Sequence, residues 1–238
     1  MKKVTIATTI LLILVLIFSL GIFIGKKIVL NTKNNKPTYQ KKEKVDIKKF
    51  NQNENIIFLG DSITEIYPIE EIYGTLPIVK SGISGYTTED ILENIEEMVY
   101  QYNPTKVFLL IGTNDYKDEC DIDKMEQVLK NIEKIVQKIR QNRKNAKIYI
   151  ESIYPVNRKM DKDMVADREN DIIIKTNDQL KKYCKENKLT YINLYNQLTD
   201  EDGNFNKKYT YDGLHPNTMG YGRITRILLP YIYDNYTI

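Results

Sequence analysis

The sequence predicts an α/β fold, a parallel sheet covered by helices on both faces. Three observations lead there. Short apolar runs of strand length recur between residues 55 and 194. Segments with helical periodicity separate most of them. Polar, glycine-bearing segments follow the runs, and in parallel sheets the loops beyond the carboxyl ends of the strands carry the ligand chemistry.

The first run, NIIFL at 55–59, reads as a buried strand that turns sharply at Gly60 into DSIT. The second, PIVK at 77–80, leads into SGISGYTT at 81–88. Within it, Thr87 and Asp90 have the spacing of a capping box, which predicts a helix start. The third, KVFLLI at 106–111, ends in GTND at 112–115. Residues 122–140 then place Met125, Leu129, Ile132, Val136 and Ile139 on one helical face. The fourth run, KIYIE at 147–151, precedes a polar, irregular stretch at 155–169, PVNRKMDKDMVADRE, expected to shape the substrate side of a site. A helix over 170–187 precedes the last strand, TYINL at 190–194, and a helix over 217–235 closes the chain. Between these two lies YDGLHPN, residues 211–217.

Ahead of this alternating part the composition changes twice. Residues 4–25 carry no charge, and about 20 apolar residues suffice to cross a bilayer as a helix. The apolar core is longer than that of a signal peptide, and no A-x-A cleavage site follows. Residues 1–25 are therefore expected to be an uncleaved single-pass anchor. Lys2 and Lys3 favour a cytoplasmic amino terminus, whereas Lys26, Lys27, Lys33 and Lys36 act against export. Long downstream domains translocate largely regardless of charge, so the globular part is expected outside the cytoplasm. Residues 26–53, lysine-rich and poor in apolar side chains, read as a flexible linker, and 54–238 as one domain.

A net charge of +3 spread over 238 residues leaves no nucleic-acid footprint. Cys120 and Cys184 form neither a CxxC motif nor a disulfide framework, which leaves a single bridge between them open. His215 is the one histidine of the chain, so any histidine chemistry falls to it, and a multi-histidine metal site is excluded.

The four post-strand segments hold a serine, acids, the one histidine, an asparagine amide and several glycines. Each has an ordinary explanation. Ser62 could cap a helix, Asn114 could serve its own turn, and Asp212 with Gly213 could be a turn pair. Together, in order and each placed after a strand, they form the inventory for acyl transfer through a serine. Ser62 is the candidate nucleophile, His215 the base that takes its proton, and Asp212 the acid that orients the base. The Ser62 N–H, the Gly85 N–H and the Asn114 amide are candidate oxyanion donors. The α/β-hydrolase elbow G-x-S-x-G does not fit, because Thr64 stands at the second glycine position.

The blocks GDSIT, SGISGYTT, GTND and DGLHPN resemble those of the SGNH hydrolases, the GDSL esterase/lipase family, over about residues 54–235. The resemblance implies a three-layer α/β/α sandwich around a five-stranded parallel sheet with flavodoxin-like order. It implies no metal or organic cofactor. It also implies Ser62, Asp212 and His215 as the catalytic set, with Ser62, Gly85 and Asn114 as the oxyanion hole. Gly85 rather than Gly82 aligns with the family's oxyanion glycine, which leaves Gly82 to backbone geometry. Where the family's second block usually has an asparagine, Lys80 or Ser81 stands here, so the support of that loop is open.

The expected activity is hydrolysis of short acyl esters, acetyl above all, of carbohydrates or cell-surface glycans. The partners are then an ester substrate and, through the anchor, a membrane. A lysophospholipase acting on lipid esters, an O-acyltransferase to a surface sugar, and a non-enzymatic binding module are the alternatives. Every catalytic residue is present, which speaks against the last.

Overall fold

The computed structural model describes residues 55–74 and 76–233. The expected anchor at 1–25 and linker at 26–53 lie outside the described residues. Among the described residues, no helix is long and apolar enough to cross a membrane.

Five parallel strands form one sheet: β1 (Ile56–Gly60), β2 (Ile78–Gly82), β3 (Lys106–Leu110), β4 (Lys147–Glu151) and β5 (Thr190–Ile192), in the order β2-β1-β3-β4-β5. All five lie where the apolar runs predicted them, with ends shifted by one or two residues. The order is the flavodoxin-like one implied by the resemblance.

Side chains alternate across a strand, so a strand covered on both faces reads as an unbroken apolar run. In β1, Ile57 and Leu59 face one layer and Ile56 and Phe58 the other, all buried. The first layer packs under α3 (Thr88–Glu93), α4 (Ile95–Met98), α5 (Ile122–Asn142) and α7 (Asn170–Glu186). The second packs under α2 (Ile69–Tyr73), α8 (Tyr195–Leu198) and α9 (Thr218–Ile232). Two very short helices complete the list, α1 (Ser62–Glu65) and α6 (Lys162–Val165).

In the second layer Phe58, Phe108 and Tyr149 sit at paired register positions of β1, β3 and β4. Their rings stack across the sheet at 4.9 and 4.6 Å between centroids, a cross-strand aromatic ladder.

The predicted face of α5 is right but incomplete. Ile132, Val136 and Ile139 are fully buried, as are Val128 and Ile135, while Met125 and Leu129 are half-buried against the layer. The capping box forms: Thr87 accepts from the Asp90 N–H, and the Asp90 carboxylate accepts from the Thr87 N–H. The stretch 155–169 is less irregular than its composition suggests. Its first residues, 155–157, are buried, α6 lies within it, and Arg168 near its end is 3% exposed. Cys120 and Cys184 are both free, so the bridge left open by the sequence is not made.

Candidate active site

The loops after β1 and β3 open at the point where strand order reverses, the position at which open parallel sheets hold ligands. β1 delivers Gly60 and then Asp61, which caps α1 by accepting the Ile63 N–H at 2.9 Å. The cap is therefore Asp61, and Ser62 is the first helical residue, half-buried at the mouth of the sheet.

His215 arrives 153 residues later, yet its Nε2 lies 3.0 Å from Ser62 Oγ. Its Nδ1 lies 2.7 Å from Asp212 Oδ2. An ionised carboxylate can only accept, so Nδ1 carries the proton and Nε2 is left to accept the serine proton. Burial would raise the Asp212 carboxyl. The N–H groups of His215 and Leu214, at 2.7 and 2.9 Å from Oδ1, outweigh it together with the imidazole and hold the group below the usual carboxylate range. The loop is braced from behind. Thr210 Oγ1 donates to the His215 carbonyl and accepts the Gly213 N–H, and the Asn157 N–H donates to the Gly213 carbonyl.

The second loop resolves the question that Lys80 and Ser81 left open. Glu65 of α1 accepts from both the N–H and the hydroxyl of Ser84. The Ile83 N–H donates to the Gly60 carbonyl at 3.2 Å. Gly85, at φ +83°, takes a left-handed turn in open space, a conformation that glycine adopts without strain. Gly82 has a different reason to be glycine. A Cβ there would stand 2.5 Å from the Glu65 nitrogen and 2.7 Å from the Asp61 carbonyl. Its bareness lets β2 approach α1, the backbone role expected for it.

The third loop brings Asn114 to the same mouth. Its Nδ2 donates to the Tyr86 carbonyl at 3.0 Å, which ties the third loop to the second. Asp115 beside it accepts from the Thr88 N–H and, at 2.6 Å, from the Thr88 hydroxyl. Asn131 of α5 in turn donates to that hydroxyl at 3.0 Å. Burial raises the Asp115 carboxyl, against the pull of Thr88.

Sequence reasoning assigned no role to three further residues. Asp61 is fully buried, and its Oδ2 makes no hydrogen bond. That burial pushes its carboxyl up to about 7, although the Ile63 N–H and the Arg168 charge pull the other way. Glu65 holds the second loop. Arg168 donates to Asn114 Oδ1 at 2.9 Å. Asp61 and Glu65 lie inside or beside a quoted motif. Arg168 carries no local signal, because its partner is 54 positions away.

The family model of the GDSL-like lipase/acylhydrolases matches residues 58–223. N-acylneuraminate cytidylyltransferase of Escherichia coli O18:K1:H7 is 33% identical over 176 residues, 72% of this chain. The chain spans 39% of the length of that relative. Among solved structures, a Streptococcus pneumonia protein given the working description of a platelet activating factor is 36% identical, with a TM-score of 0.70 over 76% of this chain and 84% of that one. An acetylxylan esterase from Geobacillus stearothermophilus shares the fold at 20% identity, with a TM-score of 0.58 over 77% and 96% of the two chains.

Proposed function

The chain belongs to the GDSL-like lipase/acylhydrolase family, and from that premise we propose that it hydrolyses esters, removing short acyl groups, acetyl above all, from hydroxyls of a carbohydrate. The observation that carries the mechanism is the continuous array Ser62–His215–Asp212 at 3.0 and 2.7 Å.

In this reading Ser62 Oγ attacks the acyl carbon as its proton passes to His215 Nε2. The Asp212 carboxylate stabilises the imidazolium that results. The carbonyl oxygen becomes an oxyanion held by the N–H groups of Ser62 and Gly85 and by Asn114 Nδ2. When the tetrahedral intermediate collapses, the C–O bond to the alcohol breaks, and the alcohol leaves with the proton from Nε2. Water then repeats the sequence on the acyl-serine, releasing the acid and restoring Ser62.

Two things support a sugar as the alcohol half. The rim at 155–169 carries exposed charged side chains, among them Arg158, Lys159 and Asp161. The fold neighbours also include enzymes that act on acetylated xylan. A lipid ester is the second reading. Ile83, Met164 and Tyr211 are 40%, 41% and 59% exposed on segments that adjoin the site, and they offer apolar contact to a longer acyl chain. We further propose that residues 4–25 anchor the domain at the outer face of a membrane, a reading supported by their freedom from charge over a bilayer's thickness.

Hydrolysis of nitrophenyl esters from acetyl to long acyl, by the full-length chain and its Ser62→Ala variant, tests the proposal. Turnover greatest on acetate and absent from the variant is the expected result. Turnover rising with chain length transfers the assignment to lipid esters. Product appearing on an added sugar, in preference to water, reassigns the chemistry to acyl transfer.

A further inference from the structure

The side chain of Arg168 has no place in the array above, yet it is almost entirely buried and every hydrogen bond it donates goes to the third loop or to its own segment. Nε donates to the Thr113 carbonyl at 2.7 Å. Nη1 donates to the carbonyls of Val165 and Met164 at 3.0 and 3.3 Å. Nη2 donates to Asn114 Oδ1 at 2.9 Å. Desolvating a guanidinium this far is costly unless its protons are satisfied. Four donated bonds satisfy those protons, and the charges of Asp61 and Asp118 offset only part of the desolvation.

We propose that Arg168 is the positioning residue of the oxyanion hole, acting through the Asn114 amide. This inference rests on Asn114 being an oxyanion donor. An asparagine amide is nearly symmetric in shape, and a flip exchanges its donor and acceptor ends. A flipped Asn114 turns a carbonyl dipole towards the developing oxyanion and repels it. Guanidinium has no acceptor, so it can face only Oδ1. The Tyr86 carbonyl, with no donor of its own, can face only Nδ2. The two contacts exclude the flip between them. One Nδ2 proton goes to Tyr86, and the second stays free for the substrate. The positive charge behind Oδ1 also polarises the amide and strengthens its N–H as a donor. Because Arg168 lies near the end of the stretch 155–169, the rim and the oxyanion hole are mechanically joined through this side chain.

A double-mutant cycle on the full-length chain tests this, with acetate ester hydrolysis and melting temperature measured for each variant. Asn114→Ala alone is expected to lower kcat by about 10²–10³, the usual cost of one oxyanion donor. Arg168→Met is expected to lower kcat at least tenfold with KM within about twofold, and to change kcat less than about twofold when added to Asn114→Ala. Equal losses in both backgrounds indicate a purely structural role and overturn the proposal. Full activity of Asn114→Ala overturns the reading of Asn114 itself, a different failure from a loss that is additive. If Arg168→Met does not fold, Arg168→Lys decides. It keeps the charge but not the fork, and its loss of kcat should likewise vanish in the Asn114→Ala background; persistence there overturns the proposal.

Discussion

At the scale of single residues the proposed mechanism rests on fixed protons. Asp212 is held ionised by two backbone N–H groups and the imidazole. Replacing it by asparagine removes the acceptor that sets the histidine tautomer. Asp212→Asn should lower kcat by about 10²–10⁴ with the fold intact, read by ester hydrolysis beside a melting curve. Besides Asp115, two other carboxyls are set the opposite way. Burial pushes Glu151 up to about 7, against one hydrogen bond from Tyr154 at 2.8 Å, and pushes Asp61 up to about 7 likewise. Their folded values exceed the unfolded ones, so the stability they contribute is complete below about pH 4 and is lost as pH rises towards 7. Asp212, lowered, acts in reverse and loses its contribution as pH falls. Glu151→Gln should therefore flatten the decline in melting temperature between about pH 4 and 7. An unchanged slope contradicts the burial argument. The array of Ser62, His215 and Asp212 that the fold brings together was legible residue by residue, because each member sits in a short motif after a strand. Arg168 was not, since nothing in a sequence marks a contact that only the fold creates.

At the scale of elements the same contrast recurs. The central strands β1 and β3 were legible because burial on both faces leaves an unbroken apolar run. Helices α5 and α7 were legible from their periodicity. The four- and five-residue helices α1, α2, α4, α6 and α8 are too short to show a period, and their positions follow from tertiary contacts. The meeting of α1 with β2 is the most demanding of these contacts. Gly82→Ala should force α1 away from the sheet and carry Ser62 with it. The expected result is a lower melting temperature together with a loss of kcat larger than any change in KM. On the opposite layer, Ile135→Ala opens a cavity at a position with 0% exposure. It should cost about 2–5 kcal/mol, about 2–4 °C of melting temperature per kcal/mol at this size, and leave kcat unchanged in the folded fraction.

At the scale of the whole molecule, strand order does the assembling. The order β2-β1-β3-β4-β5 puts the loops after β1, β2 and β3 side by side. The polypeptide then returns 153 residues after Ser62 to add His215. Alternation in the sequence predicted the class of fold, and the motif blocks, read through a resemblance, predicted the order. The bracing of the loops by Glu65, Asp115 and Asn131 depends on distances that appear only once the sheet has closed. The proposed anchor belongs to this scale too. The full-length chain should sediment with membranes, and removal of residues 1–25 should release it. The central claim is that Ser62 is the nucleophile, and labelling the full-length protein with a fluorophosphonate, followed by peptide mass mapping, tests it most directly. The account predicts one adduct, on Ser62, forming in step with loss of esterase activity and absent from His215→Ala. An adduct on another residue that tracks the loss of activity, or full inactivation with Ser62 unmodified, would contradict it.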